Sequence, residues 1–145
     1  MTDDPVLGPA LLFCPADRPD RYAKAAARAD TVVLDLEDAV AGPDRPAARD
    51  ALVATPLDPA RTVVRVNAVG TEDLAHDLVA LRRTAYTTVM LPKAASAERL
   101  AVAAELGLER VIALCETAEG IVHAPGIARA PNVVALMWGA EDLLA

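Results

Sequence analysis

Residues 32–40 read VVLDLEDAV, a stretch that opens as a strand and closes on acids. Its first residues are apolar on both alternating faces, as in a strand covered on both sides of a parallel sheet. Asp35, Glu37 and Asp38 then fall within four residues at its carboxyl end. Alternation puts Val33, Asp35 and Glu37 on one face and Val32, Leu34 and Leu36 on the other. One face is apolar throughout, and the other turns polar toward its end. In parallel α/β folds, ligands collect at the carboxyl ends of the strands. The three acids are therefore expected to face a cation and a polar ligand there.

The chain repeats this design on either side. Strands are expected at residues 10–15 (ALLFCP), 31–37 (TVVLDLE), 62–68 (TVVRVNA), 87–92 (TTVMLP), 110–115 (RVIALC) and 132–138 (NVVALMW). Ala-rich, charge-bearing segments between them are expected as helices at 18–28, 44–54, 71–83, 96–106 and 120–130. Asp17 and Ser96 are expected to cap two of these helices, and Gly107 to stop one. The Pro-rich piece 55–60 is a turn. Six strands alternating with five helices define an α/β architecture, either doubly wound or barrel.

Polar residues gather at the strand ends. The third strand carries Arg65 and Asn67, the fourth ends in Lys93, the fifth in Glu116, and the sixth leads to Glu141 and Asp142. On the polar face, Asp35, Glu37, Glu116 and Asp142 outnumber Arg65 and Lys93 by two charges. Buried charge needs a partner. A divalent cation in all-oxygen ligation would supply one, magnesium with manganese as the alternative and not zinc. His76 and His123 form no metal-type spacing with cysteine. The competing reading is structural, with the carboxylates paired to Arg65, Lys93 and backbone N–H groups.

Bulk properties narrow the classes. The 145 residues are 54% hydrophobic and 24% charged, enough for a core, and the net charge is −7. That balance argues against a nucleic-acid partner. No apolar run reaches the ~18 residues of a membrane span, and there is no secretory h-region, so a cytoplasmic protein with no membrane partner is expected. Cys14 and Cys115 are expected as buried, reduced thiols. Trp138 is expected in core or barrel packing. No Gly-rich phosphate cradle, nucleophile elbow or zinc-protease motif is present.

Six motifs occur in order: FCPADRPDRYAKA (13–25), VVLDLEDAV (32–40), VVRVNAVGT (63–71), VMLPKA (89–94), ALCETAEGI (113–121) and WGAEDL (138–143). Together they resemble the HpcH/HpaI aldolase and citrate lyase β-subunit family (CitE-like proteins). The resemblance implies a TIM-type (β/α)8 barrel and Mg²⁺-dependent cleavage or formation of a C–C bond next to a carbonyl, on a CoA thioester such as citryl-CoA or malyl-CoA, or on an oxo-acid. It implies Glu116 and Asp142 as metal ligands. Arg65 would bind the substrate carbonyl and stabilise the developing enolate, with Glu37 and Asp38 orienting the site. Asn67 and Lys93 would contact substrate, Lys93 also steadying the carboxylates. Asp17 and Arg18 would lie near the acyl-CoA entrance. A homo-oligomer, trimer or hexamer, is implied as well.

A complete barrel of this type takes about 250 residues. Residues 1–145 are therefore expected to form an incomplete (β/α) barrel domain of about six βα units, without the last strands and lid. An unpaired sixth strand would leave an apolar edge. Two other readings remain: a non-catalytic half-barrel that works by association with another chain, and a doubly wound receiver-like domain.

Overall fold

The computed structural model describes residues 8–143. The strands are β1 (Leu11–Pro15), β2 (Thr31–Asp35), β3 (Thr62–Arg65), β4 (Thr88–Leu91), β5 (Arg110–Cys115) and β6 (Val133–Trp138). The α-helices are α1 (Tyr22–Ala26), α2 (Arg45–Ala54), α3 (Glu72–Leu81), α4 (Ala97–Glu105), α5 (Ala118–Ile127) and α6 (Ala140–Leu143). All six expected strands are present, several shorter by one to three residues at an end. The short α6 is an element that periodicity did not announce.

The strands follow one another in the sheet in chain order. A doubly wound sheet reverses its strand order at a switch point, and a (β/α) barrel does not. The winding is therefore of the barrel type, and the receiver-like reading is excluded. The described residues divide into two compact units, 8–65 with 75–86, and 66–74 with 87–143.

In the first unit, β1, β2 and β3 pair in parallel. The register sets Phe13 beside Val33, Pro15 beside Asp35, and Asp35 beside Arg65. β2 is buried along its whole length because it has a neighbour on each side. Each fully buried Val or Leu there contributes ~1.5–3 kcal/mol. β1 is less well covered, and Phe13 stays 37% exposed.

The first helix starts later than expected. Asp17 does not cap it. Arg18, which precedes a proline, adopts φ −118°, ψ 64°, outside the helical region, as residues before proline are driven to do. The chain turns through a 3₁₀ segment, Pro19–Arg21, and only then enters α1. Tyr22, fully buried, donates its hydroxyl to the Ala16 carbonyl at 2.7 Å and so fastens the loop after β1. Between α2 and α3, Arg49 Nε donates to the buried Asp77 at 2.7 Å.

In the second unit, β4, β5 and β6 pair in parallel. Ser96 caps α4 as expected, its hydroxyl accepting from Arg99 N at 3.4 Å. Thr117 caps α5 in the same way, through Gly120 N at 3.0 Å. Gly107 ends α4 at φ +91°, a conformation that favours glycine. Gly120 is demanded by packing: a Cβ there would stand 2.3 Å from the Ala94 carbonyl oxygen. The buried Asn132 amide donates to the Leu100 and Leu108 carbonyls at 3.0 and 3.1 Å, joining α4 to the start of β6.

Trp138 departs from expectation. It is 69% exposed, on the same face of β6 as the partly exposed Val134 and Leu136. Those three alternate with less exposed neighbours, as a strand covered on one face only must. Both cysteines are buried, as expected. Among the described residues no helix is long and apolar enough to cross a membrane.

Candidate active site

The polar strand ends form two clusters, each inside one unit. In the first, Arg65 and Asp35 are register partners at the ends of β3 and β2. Arg65 Nε donates to Asp35 Oδ1 at 2.8 Å and Nη2 to Oδ2 at 2.5 Å, a side-on bidentate pair. The same two oxygens accept backbone N–H bonds from Glu37 at 2.9 Å and Ala39 at 3.1 Å. Asp35 is wholly buried. With two donors on each oxygen, it has no lone pair left for a cation. Of the two expectations for these acids, a cation with a polar ligand or pairing with Arg65 and backbone N–H groups, Asp35 follows the second, and for Asp35 the first is corrected.

Glu37 and Asp38 meet the other end of the guanidinium. Arg65 Nη1 lies 3.4 Å from Glu37 Oε2 and 4.0 Å from Asp38 Oδ2. Glu37 is buried, whereas Asp38 is mostly in solvent. The Phe13 ring lies under the guanidinium at 5.0 Å, within cation–π range. Burial works against the Arg65 charge, but its hydrogen bonds to Asp35 and the surrounding carboxylates outweigh that, and its pKa is raised.

Asp17 is half-buried at the end of β1. Arg18 bonds within its own loop, through Nε and Nη2 to Asp20 at 3.1 and 3.0 Å, both side chains exposed. That bond holds the Asp20 carboxyl below its usual range. Three cations that the sequence reading passed over line a groove of about 340 Å³ beside β1: Arg21, Lys24 and Arg28, together with Phe13 and Cys14. Their spacing of three and four residues was the available signal, since it places them on one side of a helix.

The second cluster is built on Glu116, buried just after β5. Its Oε1 accepts the backbone N–H of Lys93 at 2.8 Å, while the Lys93 ammonium lies at 4.0 Å. Lys93 sits at φ +52°, in the left-handed region. Gly139 closes the other side: a Cβ there would fall 2.7 Å from Glu116 Cβ and 3.0 Å from Oε2. Asn67 is buried in the same unit, and Asp142 is exposed on α6.

Among the described residues, no three of His, Cys, Asp and Glu are gathered so as to hold a metal by protein ligands alone. Magnesium does not require that, because it keeps several waters and takes one or two carboxylates. Glu116, held at one oxygen by a main-chain N–H, offers one carboxylate of that kind.

A family model described as HpcH/HpaI aldolase/citrate lyase matches residues 10–145. A citrate lyase subunit beta-like protein of Mycobacterium tuberculosis is 65% identical over 138 residues, covering 95% of this chain and 50% of that protein. A (3S)-malyl-CoA thioesterase of Cereibacter sphaeroides is 34% identical over 141 residues, covering 92% and 49%. Two crystal structures of protein CitE from M. tuberculosis are also similar. The one with magnesium and pyruvate is 62% identical, has a TM-score of 0.91, and is matched over 97% of this chain and 58% of its own. The one with magnesium, acetoacetate and coenzyme A is 63% identical, has a TM-score of 0.90, and is matched over 97% and 51%. The chain spans about half the length of the curated relatives it matches.

Proposed function

The chain belongs to the HpcH/HpaI aldolase/citrate lyase family, and on that premise we propose that it carries active-site residues of a magnesium-dependent carbon–carbon lyase acting on a CoA thioester or a related small oxo-acid. The observation that carries this reading is Glu116: a buried carboxylate at a strand end, held at one oxygen by a main-chain N–H. Relatives crystallised with magnesium alongside pyruvate, or acetoacetate and coenzyme A, support the choice of metal and ligand.

Glu116 and Asp142 would hold the ion, which when bound supplies a Lewis acid toward the ligand's oxygens. Arg65 binds the carbonyl oxygen and stabilises the enolate charge that C–C cleavage leaves there. It does so with the N–H groups that Asp35 does not use. Glu37 and Asp38 set the polarity beside Nη1 and orient the ligand. Asn67 and Lys93 contribute further polar contacts. Asp17 and Arg18 stand at the acyl-CoA entrance, and the cationic groove of Arg21, Lys24 and Arg28 suits an anionic tail. The protein works as a cytoplasmic homo-oligomer.

Magnesium titration by calorimetry tests the site. Glu116→Gln and Asp142→Asn are each expected to weaken binding about tenfold or more. Unchanged affinity in both overturns the assignment. A second reading, thioester hydrolysis, is favoured by the relative named as a (3S)-malyl-CoA thioesterase. With malyl-CoA as probe, glyoxylate and acetyl-CoA report C–C cleavage, whereas free CoA and malate report hydrolysis.

A further inference from the structure

The geometry points to Asp35 as the positioning residue for Arg65, fixing which N–H groups of the guanidinium can reach a ligand. This rests on the role proposed for Arg65 above. A free arginine side chain has several rotatable bonds and can turn any of its donors toward a carbonyl. Arg65 cannot. Its Nε and Nη2 are engaged by the two oxygens of Asp35, which sets both the plane and the roll of the guanidinium. Phe13 covers one face at 5.0 Å. What is left for a ligand is the end that carries Nη1.

Asp35 can serve as such a clamp because it is itself immobile. It is wholly buried on a strand with a neighbour on each side, and its oxygens also accept the Glu37 and Ala39 N–H groups. One carboxylate thus ties together the strand pair, the acidic turn and the arginine. Other roles for it fail on the same count. A general base or a metal ligand needs an open lone pair, and each oxygen already accepts two N–H bonds. Without the clamp, the Arg65 charge would be free to swing onto Glu37 and Asp38, which already stand 3.4 and 4.0 Å from Nη1.

Asp35→Asn keeps the shape but sets an amide donor against an N–H donor, so the bidentate pair cannot form. Pyruvate binding in saturating MgCl₂ is measured by calorimetry for wild type, Asp35→Asn, Arg65→Lys and the double variant. Misplacing the guanidinium is expected to weaken pyruvate about tenfold or more in Asp35→Asn, and similarly in Arg65→Lys. The double variant should be no weaker than Arg65→Lys alone, within about twofold, because Asp35 acts only through that side chain. Magnesium affinity without pyruvate should not move. If Asp35→Asn adds its full factor on top of Arg65→Lys, or leaves pyruvate affinity unchanged while Arg65→Lys weakens it, the positioning role is overturned. If Arg65→Lys itself has no effect, the carbonyl-binding role of Arg65 fails instead. A ¹⁵N spectrum of wild-type arginine side chains decides the matter should Asp35→Asn not fold. The Nε–H signal that vanishes in Arg65→Lys should exchange slowly with solvent, and fast exchange of that signal overturns the clamp.

Discussion

The backbone N–H of Lys93 donates to Glu116 Oε1 at 2.8 Å, while the Lys93 ammonium lies 4.0 Å from the same oxygen on a half-exposed side chain. Lys93 reaches this position at φ +52°, a conformation that costs a non-glycine residue ~1–2 kcal/mol. The strained turn is what aims its N–H at the carboxylate. Lys93→Gly keeps that N–H and relieves the strain. It is expected to leave stability unchanged or up to ~1 kcal/mol higher, with magnesium affinity held within about threefold. Urea unfolding and calorimetry read the two quantities. A tenfold loss of metal affinity would show that the ammonium, and not the backbone, anchors Glu116.

Gly139 limits the other side of Glu116. An alanine Cβ would stand 3.0 Å from Oε2 and closer still to the Glu116 Cβ. Gly139→Ala must push the carboxylate aside, so about a tenfold loss of magnesium affinity is expected, with ~1–3 kcal/mol of overpacking cost. A full-affinity Gly139→Ala protein would mean that the position of Glu116 is not what the ion reads.

Tyr22 makes stability depend on alkaline pH. Burial pushes its phenol above the usual range, with the neighbouring Cys14 adding to the effect. An unfolded tyrosine loses its proton near pH ~10, while Tyr22 in the fold keeps it. Above that pH the unfolded state binds fewer protons, so stability falls as pH rises. Cys14, Cys115 and Tyr86 are shifted the same way by burial. Urea midpoints should decline from pH 8 to 11. Tyr22→Phe should flatten the upper part of that decline and cost ~1–2 kcal/mol at neutral pH, where the Ala16 carbonyl loses its donor. An unaltered slope would place the alkaline loss elsewhere.

The Arg49–Asp77 pair between α2 and α3 has a fully buried acid. Asp77→Ala removes the buried carboxylate from Arg49 and should cost ~3–5 kcal/mol. Replacing both, as Arg49→Met with Asp77→Leu, should recover most of the loss, since an apolar pair needs no desolvated partner. Denaturant unfolding of the three proteins checks this. If the double variant is as unstable as the single, the pair contributes more than mutual neutralisation.

The strands were legible because β-branched runs and polar ends are local signals, and residues 110–115 matched at both ends. Ser96 and Gly107 were legible for the same reason: caps and stops act within a turn. The start of the first helix was not. The proline at position 19 overrode the capping signal of Asp17 by forcing Arg18 out of helical geometry. The acids of VVLDLEDAV stand at a strand end as expected, and Asp35 and Glu37, grouped by alternation, both meet Arg65. Only the β2–β3 register shows that Asp35 stands beside Arg65. Pairing across strands is a tertiary fact, and so is the use of the Lys93 backbone in place of its charge. The exposure of Trp138 is not legible in the sequence, because propensity cannot tell which face of a strand finds a cover.

Trp138 is the sole tryptophan of the chain and lies on the exposed face of β6 with Val134 and Leu136. Its indole emission is therefore a built-in optical probe. Anything that comes to lie against that stripe drives water from the ring, and the emission maximum moves to shorter wavelength without any label being attached.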